Sequence, residues 1–469
     1  MKLSFSNIGK ISNSKIELGK LTLLCGKNNT GKTYLTYSIY GFLKFLSDKQ
    51  FSLNNFDKYF DEAIDHLDAT ISLDTLTNLL RESFKNYSSM IGTVLAVDNL
   101  NSPKVELENI ADLIKKNSRF DRIGQIQIEQ GVFLTLQFTK NEKDNFLHII
   151  CTPTKIEGTN NSSEEEQYKN NKVIRSRLSL IIQTVFKDIL VEDILNSVPK
   201  QVFISSVERT GIAVFNEELF SRNETDDTLL NFDIKNKQRI FLKGNYPYAV
   251  KDNIRAVKNY HNLSSYKTLD DKKLMDIQKY FQDIISGTYR LDTTKKAVKY
   301  IPNGKINNKD SLSLIESSSS IRSLLDIGIY IQFLAKQGQT LIIDEPEMNL
   351  HPCNQRKIAR LIAMLVNYGI NIILTTHSDF ITRELSFLIM MKQNERWERI
   401  KLIPEITTEY NEDQLLNAYD VKVYSSTTTD QDSDSVIMKA ETVTAQDGFT
   451  IPTFDDTVDK MNAIYDTIL

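Results

Sequence analysis

The sequence predicts an α/β fold: a mixed sheet with an antiparallel β subdomain, carrying a large and mainly helical insertion. Three stretches predict the α/β core. An apolar run from Leu21 to Cys25 ends in a glycine-bearing loop, and a helix-like pattern follows. A second run, Thr340 to Ile343, ends in Asp344-Glu345-Pro346, and a third, Asn371 to Thr376, ends in His377-Ser378. Buried strands that each close on polar residues suit a sheet whose ligand crevice lies at the strands' carboxyl edge.

Size and composition set the bounds. A chain of 469 residues is ample for two or three domains, or for one core with a large insertion. Its 41% apolar and 25% charged residues are those of an ordinary soluble globular protein. A formal net charge of −4 does not mark the whole chain as a nucleic-acid binder. Cys25, Cys151 and Cys353 are too widely spaced for a zinc pattern or a disulfide framework, which points to a reducing cytoplasm. No apolar stretch approaches the roughly 18 residues of a membrane span, and no secretory leader is apparent, so no membrane partner is expected.

In chain order, Leu3, Phe5 and Ile8, then Ile11, Ile16 and Leu18, alternate around polar turns, which predicts two antiparallel strands leading into the Leu21 strand. Tyr34 to about Ser88 reads as helical, with Phe56, Phe60, Ile64, Leu67 and Ile71 on a buried face. Residues 123–152 alternate like a three-stranded meander, and Glu157 to Asn171 is a polar surface loop. Val173 to Leu195 reads as a helix stopped before Pro199; Gln201 to Ser206 is a strand feeding Glu208-Arg209-Thr210-Gly211. Residues 215–290 look largely helical and include a basic stretch: Lys235, Lys237, Arg239, Lys243, Lys251, Arg255 and Lys258. One or two strands run from Tyr289 to Pro302. The tail offers a helix at Leu385 to Met391, strands at Ile400 to Ile403 and within Ala418 to Tyr424, an acidic Ser/Thr loop at Ser425 to Ser435, and a last helix near Asp456 to Ile468.

The loop after Cys25 reads Gly26-Lys27-Asn28-Asn29-Thr30-Gly31-Lys32-Thr33, which is G-x-x-x-x-G-K-T between a strand and a helix. The two glycines let the backbone curl so that successive N–H groups face an anion, and the helix adds its positive end. Lys32 would reach the β- and γ-phosphates of ATP, and the Thr33 hydroxyl would bind Mg²⁺. Asp344 and Glu345 alternate sides at a strand end, so Asp344 can serve Mg²⁺ while Glu345 orients and deprotonates the attacking water. His377, at a strand's carboxyl edge, can hydrogen-bond the γ-phosphate. Ser317, Ser318, Ser319 and Ser320 open a helix, where hydroxyls and free N–H groups can hold an anion or simply cap the helix. Asp432-Ser433-Asp434 is rejected as a metal pair, because no apolar strand delivers it.

The order GKNNTGKT, Ser-rich helix start, LIIDEPEMNLHP and TTHSDF resembles the ABC-type ATPases outside the transporters, the group of SMC-like, Rad-fifty-like, RecF-like and OLD-like proteins. The resemblance covers residues 1–45 and 310–385, which it makes the ABC ATPase core. Residues 46–309 are then an inserted region that includes the 200–212 core strand, and 386–469 a C-terminal α/β extension. It implies that Gly26 to Thr33 is the Walker A loop, Asp344 the Walker B aspartate and Glu345 the catalytic glutamate. Glu347 to His351 would be the D-loop and His377 the switch histidine. It makes Ser317 to Ser320 a glycine-free signature that touches the γ-phosphate of ATP held by a second copy. The Q-loop glutamine is left open among Gln125, Gln127 and Gln201, and Glu208 to Gly211 resembles a segment that lies near the nucleotide.

The build of the chain also resembles the ATPase subunits of two-gene anti-phage systems, PARIS (AriA) and Septu (PtuA). That likeness implies a homo-oligomer based on nucleotide-sandwich dimers. It further implies a separately encoded TOPRIM or HNH nuclease effector and an acidic phage protein as trigger. The rival is a RecF-like repair ATPase binding DNA directly, with the 235–258 stretch as its support.

Overall fold

The computed structural model describes residues 1–66, 68–114, 119–129, 132–141, 145–155, 172–195, 198–215, 246–260, 263, 271–292, 297–304, 311–429 and 432–468. The Glu157–Asn171 loop and the basic residues Lys235, Lys237, Arg239 and Lys243 lie outside these. The strands are β1 (Lys2–Ile8), β2 (Ile11–Glu17), β3 (Leu21–Cys25), β4 (Asp68–Ser72), β5 (Lys104–Leu107), β6 (Phe120–Glu129), β7 (Val132–Lys140) and β8 (Phe146–Lys155). They continue with β9 (Val202–Ser205), β10 (Gly287–Asp292), β11 (Ala297–Pro302), β12 (Leu312–Ser313), β13 (Thr340–Asp344), β14 (Asn371–Thr376), β15 (Val421–Thr429) and β16 (Asp432–Glu441).

The chain divides into two units. One comprises Met1, Leu43–Ser89 and Glu106–Val198. It holds an antiparallel sheet in the order β4-β8-β7-β6 and the helices Asp57–His66, Leu73–Lys85 and Lys172–Ile189. The Phe186 ring, on the last of these helices, lies 5.4 Å from Phe56, 5.6 Å from Phe60 and 5.7 Å from Phe138. Aromatic contact at such distances adds to the area removed from water. The helical reading of Tyr34 to Ser88 breaks at β4. Ile71 sits opposite Leu147 of β8 rather than on a helix face. Thr70 and Ile71 are β-branched, and a partner strand some 75 positions away decides the conformation that periodicity alone could not.

The other unit comprises Lys2–Phe42, Met90–Val105 and Pro199–Leu469. The large sheet runs β5-β1-β2-β16-β15-β3-β14-β13-β9. Strands β15, β3, β14, β13 and β9 are parallel, each to its neighbour, while β1–β2 and β15–β16 are antiparallel. The fold is therefore α/β, built on a mixed sheet. All five residues of β3 and of β13 are buried, as strands flanked on both faces must be. Registers Cys25↔Thr376, Asp344↔Thr375 and Ile343↔Ser205 bring four strand ends to one carboxyl edge.

The tail departs from expectation. Residues 425–429 are not loop but the second half of β15, and residues 432–435 are the start of β16; β15 pairs with the phosphate-loop strand from Val421↔Leu21 to Ser425↔Cys25. Serines and threonines alternate well enough across a pleat, and the Tyr424 hydroxyl fastens the strand by donating to the Glu17 carbonyl, 3.3 Å away. Asp432 thus begins a strand rather than sitting in a loop, and the strand before it, Val421–Thr429, ends in a polar Ser/Thr run rather than an apolar one. Ile400 to Ile403 is not a strand either; the Asn394–Ile400 helix ends there in a turn before Pro404. Among the described residues no helix is long and apolar enough to cross a membrane.

Candidate functional site

The phosphate loop starts from its glycines. Gly26 has φ +141° and Gly31 φ +85°, backbone that L side chains rarely adopt. A Cβ on Gly26 would also meet Ser426 Oγ at 1.8 Å, so β15 packs against the loop too closely for any other residue. Lys27, Asn28 and Asn29 are exposed, with Asn29 at φ +62°. The helix Lys32–Ser47 begins at the lysine itself, and Thr33, its second residue, is half-buried. Lys32 Nζ donates to the Gly26 carbonyl at 3.1 Å, the Lys27 carbonyl at 2.6 Å and Thr30 Oγ1 at 3.3 Å, so the ammonium lies inside its own loop. Burial pushes its pKa down to about 8, against the opposing pull of Glu345, Asp344 and Glu347.

Asp344 is fully buried. Its Oδ1 accepts from the Thr375 hydroxyl, while Oδ2 has no hydrogen-bond partner among the described residues. Burial drives its carboxyl up to about 6, with the Thr375 hydroxyl acting in the other direction. Such an orphaned carboxylate oxygen fits a hard divalent cation, which typically takes one or two carboxylates and completes its shell with phosphate oxygens and water. Thr33 and Asp344 are the residues that would hold Mg²⁺, with ATP phosphates over the loop.

Glu345 stands at φ +52°, the left-handed region for a residue with a side chain. It is held on both sides: its N–H donates to Thr375 Oγ1 at 3.0 Å, and its carbonyl accepts from Arg209 Nη2 at 2.5 Å. Its Oε1 lies 3.2 Å from His377 Nε2. That hydrogen bond, more than any other cause, keeps the Glu345 carboxyl below its ordinary range. His377 is in turn placed by Glu347, whose Oε1 accepts from the His377 N–H at 2.6 Å and from Thr376 Oγ1 at 3.0 Å. His351 of the same segment caps the Pro352–Tyr368 helix, its Nδ1 accepting from the Cys353 N–H.

A family model for the AAA ATPase domain (AAA_15) matches residues 1–382. The chain belongs to that family. Among curated proteins, a match 24% identical over 177 residues is to the cyclic GMP-AMP phosphodiesterase SMPDL3A of Bos taurus. It spans 33% of the chain and 37% of that relative. Among solved structures, the SMC head domain from Thermotoga maritima is similar at 9% identity and TM-score 0.33, over 94% of this chain and 98% of that one. The Pyrococcus furiosus Smc head domain with an extended coiled coil, bound to the C-terminal domain of ScpA, is similar at 11% identity and TM-score 0.32, over 99% and 98%. At these scores the likeness carries no weight beside the strand order and the family match.

The serine cluster is only partly available to a ligand. Ser317 is buried and its hydroxyl donates to the Ser313 carbonyl at 2.8 Å. Ser318 caps the short Ser319–Ser323 helix and lies 2.8 Å from Ser320 Oγ; Ser318 and Ser319 are exposed. Gln201 precedes β9, at the end away from the phosphate loop, and its Oε1 accepts from Gln339. It is therefore not a residue of this site. Gln125 and Gln127 lie on β6 of the other unit.

Two residues of the site were not singled out from sequence. Thr375 and Ser426 carry no motif of their own, and only the neighbouring strands give them roles. The hydrogen bonds of Arg209 to Ser206, Ser323, Asp344 and Glu345 all go to main-chain carbonyls.

Proposed function

We propose that this ATPase-family chain binds Mg²⁺–ATP between two copies of itself and hydrolyses it slowly, to control a separately encoded nuclease in anti-phage defence. One observation carries the ATPase part: Lys32, Asp344, Glu345 and His377 stand at the ends of three neighbouring parallel strands and of the helix that follows one of them.

Each residue has a task. Lys32 exchanges its loop carbonyls for the β- and γ-phosphate oxygens. Mg²⁺, when bound by Thr33 and Asp344, supplies charge neutralisation at those oxygens. Glu345 accepts a proton from the attacking water while the water oxygen bonds to the γ-phosphorus and the bond to the β-phosphate oxygen breaks, releasing ADP. His377 holds Glu345 in line and senses the γ-phosphate. The exposed Ser318 and Ser319, with Ser320, reach the phosphates of the second copy. The likeness of the chain's build to the ATPase subunits of two-gene systems supports an output delivered through a partner.

The experiment is sedimentation of the Glu345→Gln variant with and without Mg²⁺–ATP, followed by co-purification with a candidate nuclease. ATP should convert the variant to a dimer or larger assembly, and the nuclease should follow it. A strictly monomeric variant under saturating ATP refutes the sandwich.

A further inference from the structure

Arg209 is among the largest fully buried side chains of the chain, at 1% exposure. Burying a guanidinium is unfavourable, and desolvation lowers its pKa. Apolar residues of similar volume often fill such positions at no loss of stability, so a buried arginine calls for a reason beyond packing. Its hydrogen bonds supply one. Nη1 donates to the Asp344 carbonyl at 2.6 Å and to the Ser206 carbonyl at 2.9 Å. Nη2 donates to the Glu345 carbonyl at 2.5 Å, and Nε to the Ser323 carbonyl at 2.7 Å. The planar fork thus spans the two consecutive carbonyls on either side of the turn that aims Glu345.

That turn needs holding. A non-glycine residue at φ +52° is disfavoured and persists only where its surroundings over-determine it. Thr375 fixes the Glu345 N–H and Arg209 fixes its carbonyl, so the peptide on each side of the Cα has an anchor. The anchors at Ser206 and Ser323 set the plane of the guanidinium itself. Ser323 closes the short helix that Ser318 caps, so the orientation of the fork depends on where that helix lies.

We infer that Arg209 is a positioning residue for Glu345: it holds the backbone turn that points the carboxylate at the attacking water, and it touches no reacting atom. This rests on the proposed ATPase reading, in which Glu345 is the base.

The test uses the full chain with Arg209→Lys, Arg209→Gln, Glu345→Gln and the two double variants. Binding of a fluorescent ATP analogue is titrated, and single-turnover hydrolysis of radiolabelled ATP is timed. Acting through Glu345, Arg209→Lys should keep affinity within about threefold and slow hydrolysis at least about tenfold. The double variants should be no slower than Glu345→Gln alone, since a group already lost cannot be lost again. Loss of affinity and turnover together in both Arg209 single variants marks a purely structural role and overturns the proposal, as does a double variant whose fall is the product of its two singles. Hydrolysis untouched by Glu345→Gln would instead refute the ATPase reading beneath it.

Discussion

Thr375→Val removes one hydroxyl from the middle of the site and keeps its shape and β-branching. Thr375 is fully buried on β14; it donates to Asp344 Oδ1 and accepts the Glu345 N–H at 3.0 Å. The valine leaves both groups unsatisfied. A buried donor without a partner costs about 1–3 kcal/mol, which is the Glu345 share. The Asp344 share is capped by protonation. Its carboxyl titrates at about 6, so taking up a proton near pH 7 costs on the order of 1 kcal/mol, which sets the scale of that share. The deficit should therefore be about 2–4 kcal/mol near pH 7.

The sign of the pH dependence follows from the raised pKa. Between the ordinary 3.8 and about 6 the folded protein keeps a proton that the unfolded chain has released, so stability falls as pH rises through that window. Without the hydroxyl the carboxyl titrates higher still, and the window extends upward. The gap between wild type and variant should thus be smaller near pH 5, by about 1 kcal/mol, and open as pH rises through about 6. Urea denaturation in metal-free buffer at the two pH values reads it. A deficit under about 0.5 kcal/mol at both, or a larger one at the lower pH, would refute the reasoning.

Further expectations concern the loop and its supports. Gly26→Ala should abolish ATP binding, and adding Ser426→Gly should restore part of it, because Ser426 Oγ and Cβ lie 1.8 and 2.7 Å from the new methyl; equilibrium dialysis with ATP compares the two. Glu347→Gln should slow hydrolysis by about tenfold while costing about 1–2 kcal/mol, since the amide oxygen accepts from the His377 N–H more weakly than a carboxylate does; turnover and a thermal melt measure both. Glu384→Ala should destabilise by about 3 kcal/mol, because it leaves Arg360, 3.0 Å away and buried, without its buried counter-charge; a urea titration decides it.

Some of this protein was legible residue by residue. The glycines of the phosphate loop, the apolar runs of β3, β13 and β14, and the polar residues that end them are local features. Each is fixed by conformations and burial that a few neighbouring residues dictate. The strand-end positions of Asp344, Glu345 and His377 and the Gly26–Thr33 loop follow from them directly; the one or two strands expected from Tyr289 to Pro302 are the antiparallel pair Gly287–Asp292 and Ala297–Pro302. Tertiary structure decided the rest. Arg209 lies 135 positions from Asp344, and Tyr424 lies 407 from Glu17, so their pairings depend on sheet order, which no local pattern contains. For the same reason the polar residues 425–429 extend β15 beyond the Val421–Tyr424 stretch that reads as strand: pairing with β3 at Ser425, and with β16 throughout, outweighed a composition that by itself reads as loop. Local chemistry named the groups that would handle phosphate, and only the packed sheet determined which side chains hold them in place.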